Sequence, residues 1–227
     1  MKVAMVSLKR MVAVEKQKGN GRIESGMELM SFTLYKAMSK WLVSLPGAEG
    51  VFGHLFLILS WNLACHSANT CTIQLGHFCW AEDSFQFFFT HQKNDQTGER
   101  TQWHPRNIYP NPIEPFICPH LSLSLYFTLY PDVLAKNGPL FPGQNQYTRF
   151  SGLLSRVLES HKEAVVDMGQ DVKYLGGHLI RKGAATYASS GSTAGPSGAA
   201  VNLRVGWTLG QVQDTYIWYE AAGDQYV

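Results

Sequence analysis

Residues 177–187, Gly-His-Leu-Ile-Arg-Lys-Gly-Ala-Ala-Thr-Tyr, and residues 206–216, Gly-Trp-Thr-Leu-Gly-Gln-Val-Gln-Asp-Thr-Tyr, carry most of the information on fold and chemistry in this chain. His178 and Arg181 stand three apart, which on a helix places them on one face. Trp207 precedes Tyr216 by nine residues. A phenol beside a cluster of cations can attack a phosphodiester directly and hold the bond as a covalent phosphotyrosine. Tyr216 is therefore the candidate nucleophile. Only its spacing from Trp207 separates it from Tyr187, Tyr219 and Tyr226, and Tyr219 is the reserve candidate.

The rest of the chain sets the frame for this constellation. Its 227 residues, 45% hydrophobic and 12% aromatic, suffice for one sizeable core but not for two comfortable domains. With 19 basic against 17 acidic residues the net charge is +2, so bulk charge does not announce a polyanionic partner and any such claim rests on local features. Lys2, Lys9, Arg10, Lys16, Lys18 and Arg22 outnumber Glu15 and Glu24 near the start, which reads as a solvated basic arm over residues 1–26. The domain is expected over residues 27–227. Cys65, Cys71, Cys79 and Cys118 lack the dense pattern of a disulfide scaffold and read as reduced thiols. The longest apolar run, Val51 to Ala64, contains Gly53, His54, Ser60 and Asn62 and falls short of the roughly 20 residues a membrane helix needs. A soluble nuclear or cytoplasmic protein with no membrane contact is expected.

Periodicity divides the domain. Met30, Phe32, Leu34, Tyr35, Met38 and Trp41 recur at helical intervals within Met27 to Val43, and Pro46-Gly47 stops the pattern. A second helix is expected over Gly50 to Cys65. Thr72 to Trp80 and Ser84 to Thr90 are rich in β-branched and aromatic residues around the turn Ala81-Glu82-Asp83, predicting a hairpin. A polar stretch from His91 to Glu99 follows, then a short third strand near Arg106 to Tyr109 and a connector extended by Pro110, Pro112 and Pro115. Helices are expected over Cys118 to Tyr130, Tyr147 to Val165, His178 to Ser189, Pro196 to Val205 and Gly210 to Tyr219. The predicted fold is mainly α with a small antiparallel β-sheet.

His-x-x-Arg, then Gly-Trp, then Tyr nine residues on resembles the catalytic signature of tyrosine recombinases, and the wording of both segments resembles the recombinase-like proteins of Crypton-type eukaryotic transposons. The resemblance extends from about Met27 to the C-terminus. It implies the fold of the DNA breaking-rejoining catalytic core, double-stranded DNA as partner, a homo-oligomer on DNA, mobile-element origin, and no metal or nucleotide cofactor. It also implies roles that are physically sensible for each residue. Tyr216 is the nucleophile, Arg181 clamps nonbridging phosphate oxygens bidentately, and His178 serves the tyrosine as base or hydrogen-bond partner. Trp207 donates its indole N–H to a phosphate oxygen, and Lys93 protonates the leaving 5′-oxygen. One position departs from the pattern. His66 follows Ser60-Trp61-Asn62-Leu63-Ala64-Cys65 where the family has a first arginine, and an imidazole cannot reproduce a bidentate charged fork.

Other readings compete. Cys65, His66, Cys71, His77 and Cys79 match no zinc-ligand spacing and straddle a change from helix to strand, so a metal site is disfavoured. Cys118-Pro119-His120 reads as a helix start. Phe85, Phe87, Phe88 and Phe89 read as strand core before a base-stacking platform. Three functions follow from these readings: an active strand transferase, a DNA-binding protein whose turnover His66 has impaired, and a helical interaction module without DNA. Recombinases of this kind commonly wrap DNA with a further N-terminal helical domain, for which the residues before the fold are too few, so the expectation is either a fragment of a longer chain or a grip on DNA from one side.

Overall fold

The computed structural model describes residues 29–89, 105–190 and 195–205. The basic arm, Lys93, Trp207, Tyr216 and the helix expected over Gly210 to Tyr219 lie outside them.

Helix α1 (Phe32–Ser44) begins where the Ser31 hydroxyl accepts a hydrogen bond from the Leu34 amide at 3.1 Å, satisfying one of the orphan donors of the first turn. Gly47, at φ 81°, turns the chain into α2 (Ala48–Asn62). From Gly50 onward every residue of α2 is buried, as expected of a helix that is apolar all round and fills the centre of a domain. The helices around it are α4 (Pro119–Leu129), α6 (Gln146–Ser160) and α8 (His178–Ser190). Stacked rings fasten α1 to α2, α6 to α2 and α8 to α1: Tyr35 lies 4.2 Å from Trp61, Phe56 lies 4.2 Å from Phe150, and Phe32 lies 4.0 Å from Tyr187. Tyr187 is thereby a packing residue. A Cβ on Gly183 would fall 2.1 Å from the Met30 carbonyl oxygen, so only glycine lets α8 approach this closely.

Three short antiparallel strands, β1 (Phe78–Ala81), β2 (Ser84–Phe87) and β3 (Arg106–Ile108), form a sheet in that order, with Trp80 opposite Phe85 and Phe85 opposite Ile108. The predicted class, mainly helical with a small antiparallel sheet, is the one found. Three local expectations need correction. The strand expected from Thr72 begins only at Phe78, because Ile73 and Leu75 exchange backbone hydrogen bonds with Leu140 and Gly138 and Leu75–His77 forms a 3-10 turn. The helix expected over Tyr147 to Val165 breaks at His161, whose Nδ1 bonds the Val157 carbonyl at 3.0 Å and whose ring stacks on Trp41 at 4.1 Å. Lys162–Asp167 continues as a separate helix, α7. Two short helices, α3 (Ser67–Cys71) and α5 (Pro131–Lys136), escaped the periodicity, since five or six residues span less than two turns. Among the described residues no helix is long and apolar enough to cross a membrane.

A buried histidine makes the core acid-sensitive. His54, 1% exposed, donates from Nε2 to the Phe116 carbonyl at 2.7 Å and accepts the Ser122 hydroxyl at Nδ1, 3.0 Å away. Burial lowers its pKa, opposed by the bond to Phe116. The unfolded chain therefore binds the extra proton first, and stability present above the unfolded value of about 6.5 declines as pH falls below it. Urea midpoints are expected to drop between about pH 7 and pH 5. In His54→Gln that part of the dependence disappears.

Candidate functional site

The C-terminal end of α2 organises the site. Its last carbonyls have no partner within the helix and carry the negative end of the helix dipole, so cations are favoured there. Two buried arginines fill that role. Arg204, 2% exposed on α9 (Gly198–Val205), donates through Nη2 to the Asn62 carbonyl at 2.6 Å and the Asn107 carbonyl at 3.2 Å. Arg106, 4% exposed on β3, donates to the Leu63 carbonyl at 2.5 Å, and its guanidinium lies 4.8 Å from the centre of the Phe89 ring. These contacts tie α2, α9 and β3 together at one point.

Beyond it the chain turns through Ala64, at φ 45°, and reaches His66, the residue that caps α3. The His66 carbonyl accepts the amides of Asn69 and Thr70 at 2.8 and 3.2 Å. Buried Thr70 holds the turn from inside through the Ser60 hydroxyl at 3.0 Å and the Cys65 thiol at 3.2 Å. The His66 backbone is thus fixed while its side is exposed.

Helix α8 supplies the facing groups. Its entry at Gly176-Gly177 runs close to α3, where a Cβ on Gly177 would fall 3.2 Å from the Ser67 hydroxyl. One turn into the helix, half-buried Arg181 contacts His66 Nε2 through Nη1 and donates through Nη2 to the Val205 carbonyl. A guanidinium only donates, so in this contact His66 Nε2 stands as the acceptor. Burial pulls the Arg181 pKa down and the Arg106 charge adds to this, opposed by Cys65. The Cys65 thiol is pushed up by burial, against its bond to Thr70 and the nearby Arg106 and Arg181 charges. It stays protonated and inert. His178, at the start of α8, is exposed with its ring 6.5 Å from that of Tyr147 on α6.

Of the six residues expected in the site, His66 and Arg181 are in contact and His178 stands one turn away on the same helix. Lys93, Trp207 and Tyr216 lie outside the described residues. Arg106, Arg204 and the Val205 carbonyl were not anticipated. The available signal was an arginine set among Val201, Leu203 and Val205, three residues before Trp207. Its partners are backbone carbonyls distant in sequence, which no local pattern reveals. Among the described residues no three His, Cys, Asp or Glu side chains converge as metal ligands.

No protein family's sequence profile matches the chain, and no curated protein sequence matches it. Solved structures do. The XerH site-specific recombinase bound to its difH substrate, in a pre-cleavage complex, superposes with a TM-score of 0.50 at 11% identity, over 78% of this chain and 46% of that one. The fold is that of a tyrosine-recombinase catalytic core. A post-cleavage XerH complex with palindromic difH gives 0.48 at 10% identity, over 86% of this chain and 54% of that one. The chain thus spans about half the length of the XerH recombinase in these structures. At such identity the likeness concerns the recombinase fold, and the chemistry has to be argued from the site.

Proposed function

We propose that this chain is a duplex-DNA-binding protein of the tyrosine-recombinase type, derived from a mobile element, that keeps the phosphate grip while His66 impairs strand cleavage. The observation that carries this reading is the engagement of both terminal nitrogens of Arg181 by protein acceptors, His66 on one side and the Val205 carbonyl on the other. A second arginine at position 66 would point donors at the same phosphate. His66 instead takes a donor from Arg181. The reading is further supported by the recombinase fold, whose XerH example is bound to its substrate.

In the proposed chemistry Tyr216 attacks the phosphorus, the 3′-phosphotyrosyl bond forms, and the 5′-oxygen leaves with a proton from Lys93. Arg181 and Trp207 receive the charge on the nonbridging oxygens, and His178 takes the phenolic proton. Rejoining reverses the same steps, so no metal or nucleotide is called for. Nuclear residence, kinship with the Crypton-type recombinases and assembly as a homo-oligomer on DNA belong to the same proposal.

Binding of a labelled duplex at low salt tests it. The chain is expected to bind, with affinity falling steeply as salt rises. Arg181→Ala is expected to weaken binding about tenfold or more and to make the log–log salt slope shallower by roughly one, as loss of one phosphate contact requires. An unchanged slope in that variant would remove Arg181 from the interface, and no binding at low salt would remove the function.

A further inference from the structure

We infer that His66 and Arg181 form a proton-linked phosphate clamp: neutral His66 holds Arg181 back, and a DNA phosphate binds together with one proton that converts His66 into a second cationic donor. The inference rests on the reading of this pocket as a DNA-phosphate site and specifies what controls it.

The chemistry follows from the direction of one hydrogen bond. Arg181 Nη1 can meet His66 Nε2 only while that nitrogen keeps its lone pair. Protonation fills it, replaces attraction with repulsion between two cations, and releases the Nη1 end of the guanidinium while Nη2 stays on the Val205 carbonyl. Both side chains then offer N–H donors to the same space, and an anion placed there accepts from both. Without the anion the surroundings oppose this state. Arg106 on β3 and Arg204 on α9 are buried at the same junction, and Arg181 itself is half-buried, so a further positive charge is unfavourable until a phosphate arrives. Proton and phosphate therefore favour one another, and by linkage each raises the affinity of the other equally.

Among the described residues, other titratable and charged groups stand on the elements that meet at His66. The Cys65 thiol beside it is raised by burial, and the Cys71 thiol on α3 is pushed up to about 11 by burial, so neither changes charge near neutrality. Lys182 is exposed on α8, Tyr147 lies beside His178, and Arg149 on α6 is turned to the Phe52 ring 3.9 Å away. Among the described residues His178 stands one turn from Arg181 on α8, and His178→Gln serves as the control.

The test is duplex affinity of the full 227-residue chain, measured by fluorescence anisotropy at fixed low salt. One proton taken up per phosphate bound limits the effect to a factor of ten per pH unit, and the wild-type chain is expected to bind about tenfold tighter at about pH 6 than at about pH 8. His66→Gln, which cannot become cationic, is expected to lose this increment and keep only the weaker, pH-independent affinity. His66→Arg is expected to bind tightly at both pH values. His178→Gln is expected to retain the increment. A pH dependence that survives in His66→Gln, or disappears in His178→Gln, overturns the clamp but leaves the DNA reading standing, as does flat wild-type affinity. Absence of binding at both pH values overturns the DNA reading and the clamp with it.

Discussion

His66→Arg is expected to raise the yield of covalent protein–DNA adduct on a nicked suicide duplex by about 10²–10³-fold, the range over which loss of one transition-state donor is felt in comparable sites. The substitution acts twice. In the proposed chemistry it supplies a second guanidinium fork to the pentavalent phosphate, and it removes the acceptor that now engages Arg181 Nη1. The adduct is expected to form through Tyr216, so His66→Arg combined with Tyr216→Phe yields none. Denaturing gels with labelled DNA read both results directly. The same variant should be less stable without DNA, because the new cation faces Arg181, whose charge already feels that of Arg106, and DNA should restore much of that loss. If His66→Arg binds DNA tightly and still forms no adduct, His66 is not what limits cleavage.

Arg204→Met is expected to destabilise the folded chain by about 2–4 kcal/mol, seen as a lower urea midpoint with little change in slope. Methionine fills much of the volume but leaves the Asn62 and Asn107 carbonyls without their charged donor. Relief of the desolvation cost of burying a guanidinium offsets part of the loss, which is why the figure falls below the sum of two charge-assisted bonds. An exposed pair provides the contrast. Arg156 and Glu49 meet at 3.1 Å with side chains 64% and 46% exposed, and Arg156→Ala is expected to cost less than about 1 kcal/mol. Because Val205 follows Arg204 and its carbonyl accepts from Arg181, Arg204→Met should also disturb the clamp. A loss of DNA affinity at temperatures where the variant remains folded would show that link.

Much of the architecture was legible in the sequence because it rests on local repetition. The helical spacing from Met30 to Trp41 reflects a face buried on the core, the run that becomes α2 is apolar all round because it is buried all round, and the segments flanking Ala81-Glu82-Asp83 carry the β-branched and aromatic composition of strands. Elements without such a face were missed or misjudged. Ser67–Cys71 is too short to show a period, Ile73 to Leu75 is diverted to the loop at Gly138 to Leu140, and the break at His161 follows from a ring that stacks on Trp41 in another helix.

The segment from His178 to Tyr216 pointed to the recombinase fold by itself, since chemistry that needs particular side chains in a given order leaves them readable at their spacing. The stretch from Ser60 to Cys65 marked His66 as the departure. Only the tertiary structure showed what His66 touches: Arg181. That contact depends on where α3 meets α8, at Ser67 and Gly177, next to the junction where two buried arginines grip carbonyls at the end of α2 and on β3. Backbone carbonyls are the same in every residue and carry no sequence signature. Interactions built on them, including the one that holds Arg181 against Val205, become visible only when the chain has folded.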